Sequence, residues 1–421
     1  MTRPRHPEAA TAASRQGLAG GSAIAVSVMV MNVTNYVFTM VAARLLGPQP
    51  FGAFAAVMNV LLVAAVLQLA LQATAARRIA HDPGDIHEVE DAILTVGWRA
   101  SIVVGIVFLL LSPVINSALK LDSLGTALML GVAVAPTSLF GAQAGVLQGE
   151  RRWIPLALMY LTAGVPRLIL GWTLLAVKPT ESVAMAAVAV CAFVPVLIGW
   201  RTLAQLRQER GGGRTDPTDA DHSPRALWWE TVANSQALLA FLVLSNVDIV
   251  LARNALDKHD AGLYAGGLIL AKAVLFLPQF VVVLAFPSMG TDDAKKSALT
   301  GSLGLIAAAG AAVVAGTGVL SSIALIFVGG HQYAGIQHRL WEFALLGTLL
   351  SMLQLLVYSV LARQARESIV LLWIGLGALV AAGLTSSSLT ELVGRVITVD
   401  ASLFVVLLAV SLWRLREPRT T

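Results

Sequence analysis

Four ionisable side chains stand in stretches of sequence that are otherwise almost wholly apolar: Arg99, Arg167, Lys272 and Asp248. A charge near the centre of a bilayer costs at least ~2.5–3.5 kcal/mol, so such a residue marks a substrate or ion pathway by default. Three cations against one clear acid suit an anionic ligand such as a diphosphate, because a guanidinium holds two oxygens at once. Asp248 is then either the counter-ion of Lys272 or a proton or sodium coupling site. A second group, Asn32, Thr34, Asn35 and Thr39, recurs at helical spacing along one face. That face either lines a cavity and bonds sugar hydroxyls or bonds a neighbouring helix.

Membrane-spanning helices are needed to hold such groups. Of the 421 residues, 57% are hydrophobic and 13% charged, and the mean hydropathy is +0.77. Soluble domains carry about 45–50% apolar and about 25% charged residues. A soluble enzyme, a nucleic-acid-binding protein and a disulfide-rich secreted domain are excluded. Breaks in the apolar pattern give twelve spans, at 20–46, 51–76, 92–115, 123–147, 153–177, 182–203, 228–254, 260–289, 298–328, 334–362, 367–389 and 393–413. The span 334–362 is the least regular. The fold class is therefore an all-α polytopic membrane protein of about twelve transmembrane helices. At ~1.5 Å per residue, Arg167 falls near the midplane of the fifth span and Lys272 near that of the eighth. Arg99 lies closer to the inner end of the third, where it either snorkels to the headgroups or joins the cavity. Pro136, Pro166, Pro195 and Pro278 fall within spans and are expected to kink them.

The domain organisation follows from the gaps. It comprises an N-terminal tail (1–19), a six-helix bundle (20–203), a linker rich in charge and Gly (204–227), a second six-helix bundle (228–413) and a short tail (414–421). With the N-terminus inside, 19 of the 29 Lys and Arg residues fall on the cytoplasmic side, 7 on the outer side and 3 within helices. Basic residues favour the cytoplasm, so both termini are expected there, in the cytoplasmic membrane. The sequence pI of about 9.6 is thus an orientation signal and implies no nucleic-acid partner. The first apolar segment is too long for a signal peptide and reads as a retained helix. The single cysteine, Cys191, reads as a buried thiol.

The two bundles share a local pattern. Arg44 ends the first span and Gly52-Ala53-Phe54 opens the second; Arg253 ends the seventh and Gly262-Leu263-Tyr264 opens the eighth. Both copies begin their half on the same side, so the repeat is parallel and the bundles are related by a pseudo-two-fold axis along the membrane normal. Arg44 and Arg253 are expected to cap their helices and meet headgroups at the outer side. His338, Arg339 and Glu342 read as an interfacial cluster.

The stretch Ala42-Ala-Arg44-Leu-Leu-Gly47-Pro48-Gln-Pro-Phe51-Gly52 resembles the first-hairpin signature of polysaccharide exporters. Asn246-Val-Asp248-Ile-Val250, with Ala261-Gly-Leu-Tyr264, Leu277-Pro-Gln279 and Phe286-Pro287, is similar to their second-half signature. On these residues the chain resembles the oligosaccharide-lipid flippases of the multidrug/oligosaccharidyl-lipid/polysaccharide exporter superfamily. The resemblance implies a central cavity and alternating access that carries a sugar chain on a polyprenyl diphosphate across the bilayer. It implies no cofactor and no enzymatic activity. Its expected partners are the lipid-linked glycan, membrane lipids and cell-envelope glycosyltransferases. The two further helices of the peptidoglycan-precursor branch are missing, which argues against that substrate. In this reading Arg167, Lys272 and Arg99 bind the diphosphate and Asn32, Asn35 and Thr39 face the sugar. The alternatives are a cation-coupled multidrug exporter of the same superfamily, or a membrane enzyme or scaffold of envelope glycan synthesis. Every outer gap is short, and neither a paired-acid loop nor a metal-binding spacing is present.

Overall fold

The computed structural model describes residues 7–81, 86–210, 224–275, 292–361 and 366–414, and among these the chain is helical without strands. The first half comprises α1 (Pro7–Leu46), α2 (Pro48–Ala64), α3 (Val66–His81), α4 (Ile86–Leu110), α5 (Ser112–Ala118), α6 (Leu124–Gly149), α7 (Trp153–Val177), α8 (Glu181–Cys191) and α9 (Phe193–Arg210). The second comprises α10 (Pro224–Leu244), α11 (Val247–Ala255), α12 (Lys258–Val274), α13 (Asp292–Val319), α14 (Ser321–Val328), a 3-10 helix (His331–Arg339), α15 (Leu340–Leu361), α16 (Arg366–Leu384) and α17 (Leu389–Arg414). Among the described residues, ten helical segments are long and apolar enough to cross a membrane, and Ile369–Leu384 is a shorter apolar helix. The remaining expected span, 260–289, is represented by α12; its later part lies outside the described residues. The exterior is apolar: Ile154 is 80% exposed and Val177 85%, as a lipid-facing surface requires.

Several spans are broken, and proline explains only some of the breaks. Pro113 and Pro195 lack the N–H that would reach Leu109 and Cys191, so the chain breaks before each, at Leu111 and Ala192. The Ser112 hydroxyl donates to the Leu109 carbonyl at 2.7 Å instead. By contrast, α6 and α7 run without interruption through Pro136 and Pro166. Pro278 lies outside the described residues. The expected linker 204–227 contributes both its ends to helices. Leu206 is buried and Arg207 pairs with Glu90 and Asp91 at 2.7 and 2.5 Å, which carries α9 on to Arg210; residues 211–223 lie outside the described set. The irregular span 334–362 opens as the 3-10 helix, after Gly329 and Gly330 at positive φ.

Within the first half α1 packs on α7, and α6 packs on both α3 and α4; within the second, α15 packs on α12, α13 and α17. The halves meet where α2 lies along α12 and α11, and α3 along α10. The two repeat glycines form the closest approach. A Cβ on Gly52 would stand 2.8 Å from the Cα of Gly262, and one on Gly262 would stand 2.0 Å from the Pro48 carbonyl oxygen. The glycines are therefore required by contact between the halves. Gly262→Val is expected to lower the thermal melting midpoint by the equivalent of about 1–3 kcal/mol of overpacking. Gly377→Val, at a position with nothing within 4 Å, should leave it unchanged.

Candidate functional site

The seventh span is discontinuous, with α10 ending at Leu244 and α11 beginning at Val247. Asn246 sits in the gap at φ −133° and ψ −5°, and its side-chain amide donates to the Leu242 carbonyl at 2.7 Å, replacing a helical bond. The break leaves the Ser245 carbonyl free to accept from Lys272 Nζ at 3.4 Å. Lys272 Nζ also donates to Asn59 Oδ1 at 2.8 Å and to Asn246 Oδ1. Asn59 is on α2, so this half-buried cation ties the two halves together. Interrupted helices that expose backbone carbonyls at membrane depth are characteristic of transporter binding sites.

Lys272 and Asp248 do not form an ion pair within 4 Å. The offset in depth between them brings the ammonium to Asn246, two residues before Asp248. The carboxylate instead accepts from the Tyr264 hydroxyl at 3.1 Å and from the Ile249 amide at 2.9 Å. A second acid belongs to this region. Asp400, on α17, is 1% exposed, lies within electrostatic reach of Asp248, and has a buried Oδ1 without a hydrogen-bond partner. The expectation of one acid within the spans is therefore corrected. Asp400 interrupts the apolar run Val396–Leu408 just as Asp248 interrupts its own, and the same rule would have found it. Two buried carboxyls around one tyrosine hydroxyl require a compensating proton or cation.

Arg167, half-buried on α7, donates from Nη1 to Asn35 Oδ1 on α1 at 3.3 Å, while its Nε is buried without a partner. The structure thus brings together two of the expected site residues. Thr39 and Thr34 donate their hydroxyl protons back to their own helix, Thr39 to the Asn35 carbonyl at 2.9 Å and Thr34 to Val30 at 2.8 Å. Only their lone pairs remain for a ligand. Asn32 is half-buried on the same helix. Arg99 is elsewhere: it is exposed in a cleft between α4, α6 and α9, all within the first half.

Arg44 and Arg253 do more than end their helices. Arg253, 1% exposed, donates from Nε to the Leu119 carbonyl at 2.8 Å and from Nη2 to the Lys120 carbonyl, both in the other half. Arg44 Nη2 donates to the Ile326 carbonyl at 2.7 Å, again across the halves. Each arginine ends the first span of its half and reaches the end of the third span of the other. Lys258–Asp122 at 2.5 Å, Asn254 to Ala118 at 2.9 Å, Lys120 to Asn254 at 3.0 Å, Tyr333 to Ala43 at 3.2 Å and Gln332 to Arg44 at 3.3 Å add to the junction on this face, which the charge bias assigns to the outside. The signal for it was the repeat itself. Its acceptors are backbone carbonyls, which no residue type marks. The cluster near His338 shows the expected i,i+3 pair, Arg339–Glu342 at 3.6 Å.

No family model and no curated protein sequence matches the chain. Among solved structures, an inward-facing multidrug resistance MATE family transporter of the MOP superfamily superposes with a TM-score of 0.66 at 13% identity, over 91% of this chain and 94% of that one. The chain has that fold. An outward-facing MATE family transporter gives 0.66 at 14% identity, over 94% and 95% of the two chains. A MOP superfamily transporter from Pyrococcus furiosus, described as having a binding pocket of reverse polarity, gives 0.64 at 15% identity over 94% and 95%. The two six-helix bundles expected from the repeat are thus those of the MOP-type fold.

Removing the Lys272 ammonium leaves two buried amide oxygens, Asn59 Oδ1 and Asn246 Oδ1, without this donor. Lys272→Met is expected to destabilise the protein by about 1–3 kcal/mol. Adding Asn59→Leu should cost less than the sum of the single changes, with a coupling of at least about 0.5 kcal/mol. Thermal denaturation of the four proteins in one detergent checks this.

Proposed function

We propose that the protein is a transporter that moves a polyprenyl-diphosphate-linked oligosaccharide or polysaccharide precursor across the cytoplasmic membrane by alternating access. One observation carries the reading. Arg167 and Lys272, one in each half, are held by neutral amide oxygens, and neither has a carboxylate within ion-pair distance among the described residues. An embedded cation in that state retains its charge for a ligand, and a diphosphate supplies the matching anion. Arg167 and Lys272 bind it from opposite halves, and the polar face of α1 with Asn32, Asn35 and Thr39 meets the sugar. The polyprenyl tail remains in lipid. The pair Asp248 and Asp400 takes up the driving ion, a proton being sufficient to relieve two adjacent buried carboxyls. Both termini lie in the cytoplasm, and envelope glycosyltransferases supply the substrate.

A second reading, a cation-coupled multidrug exporter, is favoured by the same acidic pair and by the names of the fold neighbours. The Pyrococcus furiosus neighbour, named for a pocket of reverse polarity, gives precedent in this fold for a pocket departing from the drug-exporter pattern.

The two readings separate in reconstituted vesicles. The wild-type protein is expected to move a fluorescent polyprenyl-diphosphate oligosaccharide between leaflets. Arg167→Ala and Lys272→Ala should each slow it by about tenfold or more, as the loss of a charged hydrogen bond to phosphate implies. Transport of organic cations in place of the lipid, unaffected by either change, would establish the exporter.

A further inference from the structure

The cleft around Arg99 is unrelated to the junction between the halves. It has a volume of about 510 Å³ and is lined only by α4, α6 and α9. Its charged lining residues are Arg99, Arg207 and Asp91. The last two pair with each other at 2.5 Å. Arg99 makes no hydrogen bond or ion pair among the described residues, so its five N–H donors are open. Gln143 lies in the wall at 3% exposure, also without a hydrogen bond, and its Oε1 is sealed from solvent. Its Nε2 makes no hydrogen bond and is not among the sealed atoms, so the amide keeps a free donor in the lining of the cleft. Thr95 adds a hydroxyl.

The surroundings narrow the ligand. Trp98 and Trp200 stand edge-to-face with centroids 5.9 Å apart and are 45% and 55% exposed on the apolar exterior. Such indoles sit at the headgroup level of a membrane, one side in lipid and the N–H in the polar layer. Beyond Arg99 the outer face of α4 continues as exposed apolar surface, with Ile102 at 54%, Val103 at 58% and Leu110 at 75%. A cationic fork, a buried amide and paired indoles thus stand at the head of an apolar track. We propose that this cleft binds the phosphodiester headgroup of a membrane phospholipid, with Arg99 and the Gln143 Nε2 donating to the phosphate, Trp98 and Trp200 at the glycerol level and the acyl chains along α4. The free phosphate ion shares the anionic chemistry but has no use for the track. The occupant is a bilayer lipid, separate from any transported substrate.

Native mass spectrometry of the full chain, released from detergent after titration with phosphatidylglycerol, tests the site. The wild type should retain one lipid under activation that strips the others. Arg99→Gln with Gln143→Leu should lower that occupancy at least about fivefold, a loss near 1 kcal/mol, with an unchanged melting midpoint in lipid-free detergent. Arg99→Lys should keep most of it, and Lys178→Gln, an exposed cation far from the cleft, all of it. Equal retention by the wild type and the double variant overturns the proposal. So does equal loss in Lys178→Gln, or competition by inorganic phosphate at the concentration of the lipid. If the double variant melts lower, Trp98→Phe with Trp200→Phe replaces it, and full retention there is equally contrary.

Discussion

The arrangement of the molecule depends on how its two halves are held together at one face. Arg253 is taken almost wholly out of solvent to donate to two carbonyls of the other half, and its Nη1 is left buried without a partner. Arg44 repeats the interaction from the opposite side with fewer bonds and more exposure. Between them Gly52 and Gly262 bring the backbones of α2 and α12 into contact. Hydrogen bonds from charged donors to carbonyls contribute about 1.5–3 kcal/mol each when made, and groups at this end of the molecule can be solvated when they break. A junction of this kind is firm when closed and inexpensive to open, the property alternating access requires.

A different balance holds deeper in the protein. Lys272 crosses between the halves, but its partners are amides and a backbone carbonyl exposed by a broken helix. Neutral partners hold the ammonium in place, and Asp248 acts on it only from beyond ion-pair distance. The carboxyls of Asp248 and Asp400 lie toward the second half, one of them on the Tyr264 hydroxyl. Lys272 lies beyond ion-pair distance of Asp248 but within its electrostatic reach, whereas Arg167 has no acid near it among the described residues, so the cations and the acidic pair are only partly compensated by one another.

Much of this was legible in the sequence. Span positions, the parallel repeat and the embedded cations follow from hydropathy, from the recurrence of Arg and Gly at matched places, and from the cost of charge in lipid. The rest was hidden for identifiable reasons. The break at Ser245–Asn246 has neither proline nor glycine to announce it and is stabilised by an asparagine that also occurs in intact helices. Asp400 stood in plain view, but Glu391 and Arg395 earlier on α17 lend the whole segment an interfacial character. Spacing along α4 gives Arg99 a position in the chain but does not tell which face of the helix carries it. The carbonyl acceptors of Arg44 and Arg253 belong to no residue type at all.

The central claim is that the outer junction opens when an anionic lipid-linked substrate engages the cations beneath it. Spin labels at Lys178→Cys in the first half and Thr390→Cys in the second, both exposed and on that face, report it directly once the buried Cys191 is replaced by Ala. Pulsed electron resonance in nanodiscs should give one distance without ligand and a second, longer population with a polyprenyl-diphosphate oligosaccharide. A single distance, unchanged by that lipid at saturating concentration, would contradict the claim.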